Sequence, residues 1–320
     1  MKKVLSLLLV VAMLFSFSAC GSKKDDGTYT VGICQLVQHE ALDAATKGFK
    51  AALTEKLGDK VKFDEQNASG EATNCTTIVS KFVSDKVDLI MANATDALTA
   101  ASQATDTIPI VATSITDYAT ALKIDNWNGK TGFNVTGTSD LAPLDQQAAM
   151  IKELVPSAKN VAILYCSAEK NSKYQATVMT EELKKLGISA KEYTFVDTND
   201  VTSVTQQIVN DKADAVFVPT DNTAASNTEA INNVLEPAKV PVIAGEAGIC
   251  SGCGIATLSI SYYDIGYKAG EMAYDILVNK KDPADMDIEY AKDLTKQYVE
   301  KRAKALGMTI PSGYEAITEK

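Results

Sequence analysis

Two stretches of the sequence place residues that can hold a charged ligand directly after an apolar run. The run beginning at Ala215 ends in Pro219-Thr220-Asp221-Asn222, and the run beginning at Leu89 ends in Asn93-Ala94-Thr95. A carboxylate such as that of Asp221 can balance a cationic group. The Thr95 hydroxyl and the amides of a helix start can hold an anionic group. Together they predict a site for a small ligand that carries both charges.

The two stretches are copies of one pattern. Asp85-Lys86-Val87-Asp88 precedes the first apolar run and Asp211-Lys212-Ala213-Asp214 precedes the second, 126 positions later (212 − 86). Each copy is typical of a buried parallel strand followed by a helix. Ligands of open α/β sheets bind at the carboxyl ends of such strands. Two copies therefore predict two lobes that share one ligand.

Other candidate residues follow neighbouring predicted strands. Glu246 is the second candidate for the cation, after Asp221. Thr113 and Ser114 join Thr95 as donors for the anion, and Thr220 lies beside Asp221. For Thr95 and Asp221 the alternative is helix capping, which is common where a strand turns into a helix.

Three further residues are less specific candidates. Gln35 ends the first strand of the first lobe, and Tyr165 ends the corresponding strand of the second lobe. Tyr165 would either stack on a planar ligand or lie in the core. His39, the only histidine, would either contact the ligand or be a surface or capping residue at the start of the helix that follows it.

Cysteine usage leaves alternatives open. Cys250-Ser251-Gly252-Cys253 resembles a redox or metal pair, but no second pair or histidine cluster in the sequence completes a zinc site. A local disulfide or two reduced thiols is the favoured interpretation. We expect no metal and no cofactor.

Composition excludes several classes of protein. The chain has 320 residues, a hydrophobic fraction of 46% and a formal net charge of −10. This length allows two domains, and the acidic balance argues against a nucleic-acid groove. One histidine and no glycine-rich phosphate loop argue against an enzyme. A related transcriptional regulator would need an N-terminal helix-turn-helix, where this chain has an apolar segment.

The N-terminus predicts export. Lys2-Lys3 precede an apolar run, Val4 to Phe17, that is short for a membrane span. Residues 1–19 resemble a bacterial lipoprotein signal, which is cut before a lipid-bearing cysteine, here Cys20. A plain signal peptide with a chance cysteine is the alternative. We expect residues 20–27 to form a tether, and the protein to be extracytoplasmic and lipid-anchored to the bacterial cell membrane.

Strands and helices alternate from Thr28, and the order of elements restarts near Pro143. The pattern predicts an α/β fold of two doubly wound parallel-sheet lobes joined by a three-strand hinge. The expected first lobe comprises residues 28–138 and 259–290, and the expected second lobe comprises residues 139–258 and 291–320. A helix from about Asp264 to Val278 and a tail helix from Leu294 to Leu306 complete the prediction.

Several motifs, in order along nearly the whole mature chain, resemble those of ABC transporter substrate-binding lipoproteins whose characterised members take aromatic amino acids, chiefly tryptophan. The motifs are Asn134-Val135-Thr136-Gly137-x-Ser139-Asp140, Tyr165-x-Ser167-x-Glu169-x-Asn171-Ser172, Pro219-Thr220-Asp221-Asn222 and Tyr262-Tyr263-Asp264-Ile265-Gly266.

The resemblance implies a type I periplasmic-binding-protein fold, an amino-acid ligand captured by hinge closure, and delivery to a membrane permease with its ATPase. Ser139 and Asn171 become candidate ligand contacts through the matched motifs alone. The protein would be a monomer. Two alternatives remain: a sensory lipoprotein that docks on a receptor, and a binding protein for a different small polar solute.

Overall fold

Two parallel-stranded sheets organise the chain, and each collects strands from distant parts of the sequence. The structure is a computed structural model that describes residues 27–317. The predicted signal peptide, Cys20 and the tether up to Asp26 lie outside the described residues. Among the described residues, no helix is long and apolar enough to cross a membrane.

The first sheet has the spatial order β2-β1-β3-β4-β5-β11, and all of its pairings are parallel. Its strands are β1 (Tyr29–Gln35), β2 (Val61–Asn67), β3 (Leu89–Asn93), β4 (Ile110–Ile115), β5 (Val135–Ser139) and β11 (Glu289–Tyr290).

The second sheet has the order β7-β6-β8-β9-β10-β12-β13, in which only the β10–β12 pairing is antiparallel within the described range. Its strands are β6 (Asn160–Cys166), β7 (Ser189–Phe195), β8 (Ala215–Val218), β9 (Val242–Ala244), β10 (Ala256–Ser259), β12 (Thr295–Tyr298) and β13 (Glu315–Ala316).

Helices connect the parallel strands, so the predicted fold class is confirmed. They are α1 (Glu40–Leu57), α2 (Ala72–Asp85), α3 (Thr95–Ala104), α4 (Tyr118–Leu122), α5 (Leu144–Leu154), α6 (Lys170–Lys185), α7 (Val201–Asn210), α8 (Asn222–Ala225), α9 (Thr228–Leu235), α10 (Ala247–Cys253), α11 (Tyr262–Leu277) and α12 (Glu300–Ala305).

Apolar clusters cover both faces of each sheet. In β3, Leu89 and Met91 belong to one cluster while Ile90 and Ala92 belong to another, and all four are fully buried. Alternate side chains of a strand point to opposite faces. Burial on both faces therefore explains why these strands read as uninterrupted apolar runs in the sequence.

The chain passes between the two sheets three times. It leaves the first sheet after β5, returns to the first lobe through α11 after β10, and leaves again between β11 and β12. Helix α11 packs along α1 at very short range: a Cβ added to Gly266 would lie 2.0 Å from the carbonyl oxygen of Ala45. Glycine is therefore required for this approach of two helix backbones.

Two predicted helices differ from the structure. The tail predicted as one helix from Leu294 to Leu306 contains β12 followed by the short α12, because residues 295–298 pair with β10. Helix α11 begins at Tyr262 and is capped by Ser261, whose Oγ accepts from the Asp264 amide at 3.2 Å. The helix therefore begins two residues earlier than the sequence pattern indicated, and Asp264 lies in its first turn.

Candidate functional site

A narrow cleft lies where the carboxyl ends of the two sheets face each other. Its walls come from the end of β4, from the segments after β4, β5, β8, β9 and β10, and from the starts of α1 and α6. The lining residues are His39, Leu42, Ser114, Thr116, Asp140, Asn171, Thr220, Asp221, Asn222, Ala225, Glu246, Ile249 and Tyr262.

The structure brings some of the residues predicted from sequence to this cleft. They come from both lobes and include the two acids proposed as countercharges. Those that line it are His39, Ser114, Asn171, Thr220, Asp221 and Glu246. Their role in binding stays a prediction.

Four other predicted residues are engaged elsewhere. Gln35 bonds within its own lobe, where its Nε2 donates to Asp43 Oδ1 at 2.7 Å and its Oε1 accepts from Thr46 Oγ1 at 2.6 Å. Thr113 Oγ1 accepts from Thr138 Oγ1 at 2.9 Å. Ser139 Oγ donates to the Thr116 carbonyl at 3.2 Å. Thr95 borders a small neighbouring pocket with Asp117 and Asn171.

Tyr165 lies in the core, which was the alternative to ligand stacking. Its ring belongs to an apolar cluster of the second lobe, and the residue is 3% exposed. Its hydroxyl donates to Glu192 Oε2 on β7 at 2.5 Å. The side chain therefore packs inside the lobe and is not among the residues that line the cleft.

Three buried carboxyl groups line the cleft, namely Asp140, Asp221 and Glu246. Burial raises the pKa of each, to about 6 for Asp140, about 8 for Asp221 and about 7 for Glu246. The nearby carboxylate of Glu169 adds to the rise of the Asp221 pKa. No Lys or Arg is among the residues that line this cleft, so a cationic group bound there would relieve the desolvated charges.

Two of these acids also cap helices. Asp221 accepts from the amides of Cys166 and Ala224 and from Ser172 Oγ, each at 2.7 Å, and it caps α8. Glu246 caps α10 by accepting from the Gly248 amide at 2.6 Å and from the Ile249 amide. Asp221 therefore does cap a helix, which was the alternative to ligand binding. Because it accepts three hydrogen bonds, it has fewer free acceptor positions for a ligand than Glu246, which accepts two.

Asp140, in contrast, does not cap a helix. Its Oδ1 accepts from Thr116 Oγ1 at 3.2 Å and its Oδ2 accepts from the Tyr262 hydroxyl at 2.8 Å. Asp140 follows β5 and Tyr262 follows β10, so this pair joins two of the passages between the sheets. Sequence reasoning missed all three residues, although Asp140 and Tyr262 stand inside motifs that it had quoted.

Glu169 is a further residue that sequence reasoning missed. Its carboxylate accepts from the amides of Asn222 and Thr223 at 2.9 and 2.8 Å. The side chains of both residues and of Asn171 also donate to it. This one carboxylate fixes the cleft-facing turn after β8, and its place in the matched Tyr165–Ser172 motif was the available signal.

The opposite wall offers donors for an anion. Ser114 is 6% exposed, its Oγ has no hydrogen-bond partner among the described residues, and its φ is +58°. Helix α3, whose first residue Thr95 borders the neighbouring pocket, starts without a side-chain cap. A buried hydroxyl without a partner is costly, and a helix start attracts negative charge.

Direct hydrogen bonds connect the lobes across the cleft. His39 Nε2 lies 3.1 Å from Asn222 Oδ1. Burial lowers the pKa of His39. On the other side, Gln175 Nε2 donates to Thr116 Oγ1 at 3.3 Å and to Thr220 Oγ1 at 2.6 Å. The lobes are therefore closed on each other in this structure.

The cysteines outside residues 1–26 are free thiols, and all of them are buried. Cys250 and Cys253 lie in α10, and Cys253 Sγ donates to the Ile249 carbonyl at 3.4 Å. In the described part of the chain, no cluster of three or more His, Cys, Asp or Glu side chains is arranged to hold a metal ion. In the structure, the two cysteines of the Cys-x-x-Cys motif are therefore reduced thiols and not a local disulfide.

The chain matches known proteins over most of its length. A family model described as ABC transporter substrate binding protein matches residues 30–317. A tyrosine-binding protein of Clostridioides difficile (strain R20291) is 36% identical over 296 residues, which are 87% of this chain and 85% of that protein.

Solved structures agree. A domain from Streptococcus pneumoniae in complex with L-Trp has a TM-score of 0.86 at 30% identity, over 91% of this chain and 100% of that one. A ligand-free, open substrate-binding protein from Clostridium difficile has a TM-score of 0.71 at 36% identity, over 92% and 100%. The fold is thus that of the type I periplasmic binding proteins, and the chain belongs to the family of ABC transporter substrate-binding proteins, a family of solute-binding proteins.

Proposed function

We propose that this protein is the extracytoplasmic solute-binding component of an ABC importer and that it captures an aromatic L-amino acid in the cleft between its lobes. One observation carries the proposal: two buried carboxyl groups of the second lobe, Asp221 and Glu246, line a cleft whose first-lobe side holds Ser114, and the Ser114 hydroxyl has no hydrogen-bond partner among the described residues. An amino acid has a matching ammonium and carboxylate. The similar proteins described as tyrosine-binding and as bound to L-Trp support the aromatic class.

The ammonium group is assigned to the acidic wall. Glu246 is the principal partner, because each of its oxygens already accepts from only one amide. Asp221 accepts from three donors and is the second candidate. Asp140 lies across the cleft from them, where it is bonded to Thr116 of the first lobe. An ammonium bound here would hold these groups ionised, which burial alone disfavours.

The carboxylate of the ligand is assigned to the first lobe. Ser114 Oγ would donate to it, while Thr95 at the start of α3 borders the neighbouring pocket. Thr113 would act indirectly, because its hydroxyl is bonded to Thr138. The electrically neutral ligand therefore lies between a wall that accepts hydrogen bonds and a wall that donates them.

The ligand side chain is assigned to the remaining lining. Leu42, Ala225 and Ile249 offer apolar contact, and Tyr262 offers the aromatic ring of the cleft lining. His39 and Asn222 form a polar pair at its edge and can bond a hydroxyl or ring N–H.

Hinge closure is the proposed mechanism of capture. The structure is more similar to the L-Trp complex (TM-score 0.86) than to the ligand-free, open protein (0.71), although the open protein is closer in sequence (36% against 30% identity). Residues 28–138 with 259–290 would move against residues 139–258 with 291–320, about the three passages between the sheets. The ligand would favour the closed form by contacting both lobes.

Membrane attachment is proposed through a lipid on Cys20, with residues 20–27 as the tether. The sequence of residues 1–20 supports this, since an apolar run precedes a small-residue end and a cysteine. The match to the family supports delivery to a permease and its ATPase. The protein would act there as a monomer.

A thermal-shift screen tests the ligand class. Aromatic L-amino acids should raise the unfolding temperature more than branched-chain amino acids, sugars or nucleosides. A ligand at about 100 times its dissociation constant adds about 2.7 kcal/mol of stability. A shift given only by a sugar would contradict the proposed ligand while leaving the family unchanged.

A further inference from the structure

Arg302 is the only arginine in the sequence, and its side chain reaches from α12 to the last turn of α10. Its Nη1 donates to the carbonyl oxygens of Cys250 and Gly254, both at 3.0 Å. Its Nη2 donates to those of Ser251 and Gly252 at 2.6 and 2.8 Å. Its Nε donates to Asn232 Oδ1 on α9 at 3.0 Å. Every nitrogen of the guanidinium group is thus engaged.

This contact accounts for the Cys-x-x-Cys segment that the metal and redox interpretations left unexplained. The last carbonyls of a helix have no partner within the helix, and a cation is favourable at that end. Gly252 lets α9 approach, since a Cβ there would lie 2.2 Å from Thr228 Oγ1. The two cysteines fill the apolar cluster below. The segment therefore forms the binding surface for one guanidinium group.

Helix α10 connects this contact to the cleft. It has seven residues, so it is about 10 Å long at 1.5 Å per residue. Glu246 caps its beginning, and both Glu246 and Ile249 line the cleft. Arg302 holds its end. Because the helix is so short, a tilt at the arginine end displaces the glutamate end.

We infer that Arg302 is a positioning residue for the ligand site, which it does not line: it sets the place of Glu246 and Ile249 by holding the far end of α10. The inference rests on the proposed function, in which Glu246 meets the ligand ammonium. A lysine at this position keeps the charge but lacks the planar fork that bonds several carbonyls at once.

The test is Arg302→Lys in the full chain, with two measurements. Hydrogen exchange of the ligand-free protein should become faster in residues 246–254 and stay unchanged in the turn capped by Asp221. Calorimetry with L-tyrosine and L-tryptophan should show an affinity lower by about tenfold. Leu183→Ala, in a separate apolar cluster of the same lobe, is the control for lost stability and should keep the wild-type affinity.

A double-mutant cycle with Glu246→Gln separates positioning from a general structural role. If Arg302 acts through Glu246, Arg302→Lys should change affinity less than about twofold in the Glu246→Gln background. The inference would be overturned if the affinity losses of Arg302→Lys and Glu246→Gln multiplied in the double variant. It would also be overturned if Arg302→Lys alone unfolded at a lower temperature but bound the ligand with wild-type affinity. Should Arg302→Lys not fold, Asn232→Ala removes one acceptor and should move both measurements in the same direction, by less.

The two proposals can fail separately. If the wild-type protein binds neither amino acid, the proposed function is wrong, while the exchange measurement still decides whether Arg302 fixes α10. Unchanged exchange in residues 246–254 would overturn the inference whatever the ligand is.

Discussion

Glu246→Gln should weaken the binding of L-tyrosine at pH 8 by about tenfold or more. A hydrogen bond to a charged group contributes about 1.5–3 kcal/mol, and 1.4 kcal/mol is a factor of ten in affinity. Gln keeps the shape of the side chain but loses the charge that balances the ammonium. Calorimetry on both proteins measures the difference.

Glu246→Gln should also change how the affinity for L-tyrosine depends on pH. Burial raises the pKa of Glu246 to about 7, and the neighbouring carboxyls of Glu40 and Asp140 contribute to the rise. The ligand binds the ionised forms, so wild-type affinity should begin to fall below about pH 8, where Asp221 takes up a proton, and should fall more steeply below about pH 7, by up to about tenfold per unit for each proton. Asp221 and Asp140 act in the same direction. The Glu246→Gln variant should lose the part of this pH dependence that comes from the titration of Glu246.

Glu181→Gln is the matched control, because Glu181 is an exposed carboxyl on α6 of the same lobe and is not among the residues that line the cleft. It should change affinity by less than about twofold. A larger loss of affinity in Asp221→Asn than in Glu246→Gln would contradict the assignment and give the countercharge to Asp221.

Gly266→Ala should lower the free energy of unfolding by about 2 kcal/mol, in spite of alanine's higher helix propensity. Alanine normally stabilises a helix interior by about 1 kcal/mol over glycine. Here its Cβ would meet the Ala45 carbonyl oxygen at 2.0 Å, so α11 must move away from α1. Overpacking of this kind costs about 1–3 kcal/mol.

Urea unfolding of Gly266→Ala and of Lys268→Ala provides the comparison. Lys268 is about half exposed on the same helix, so its replacement tests helix propensity without the clash. Both variants should be folded, and only Gly266→Ala should be clearly less stable. A Gly266→Ala protein more stable than the wild type would show that the two helices are not packed backbone to backbone.

The sequence was informative where one local rule decides the position of a side chain. Asp221, Glu246 and Ser114 reach the cleft because each stands at or just after the end of a buried parallel strand, and such ends share one edge of a sheet. The uninterrupted apolar runs predicted those strands, because helices cover both faces of each sheet and bury the strands on both sides.

Other residues depend on facts that no local pattern contains. Thr113 and Tyr165 also stand at strand ends. Alternate residues of a strand point to opposite faces, and the side chains of these two residues bond within their own lobes instead of facing the cleft. Asp140 and Tyr262 meet only because two passages between the lobes run side by side. The tail forms β12 because β10 offers a free edge, a tertiary choice that overrides its helical pattern.

The most direct test of the central claim is calorimetry of the lipid-free chain at pH 8 with L-tyrosine and two of its analogues. One analogue is tyramine, which lacks the carboxylate, and the other is 3-(4-hydroxyphenyl)propionate, which lacks the ammonium. If the acidic wall and the Ser114 wall each hold one charged group, L-tyrosine should bind one to one, and each analogue should bind at least about tenfold more weakly. An analogue that binds as tightly as L-tyrosine would contradict the account.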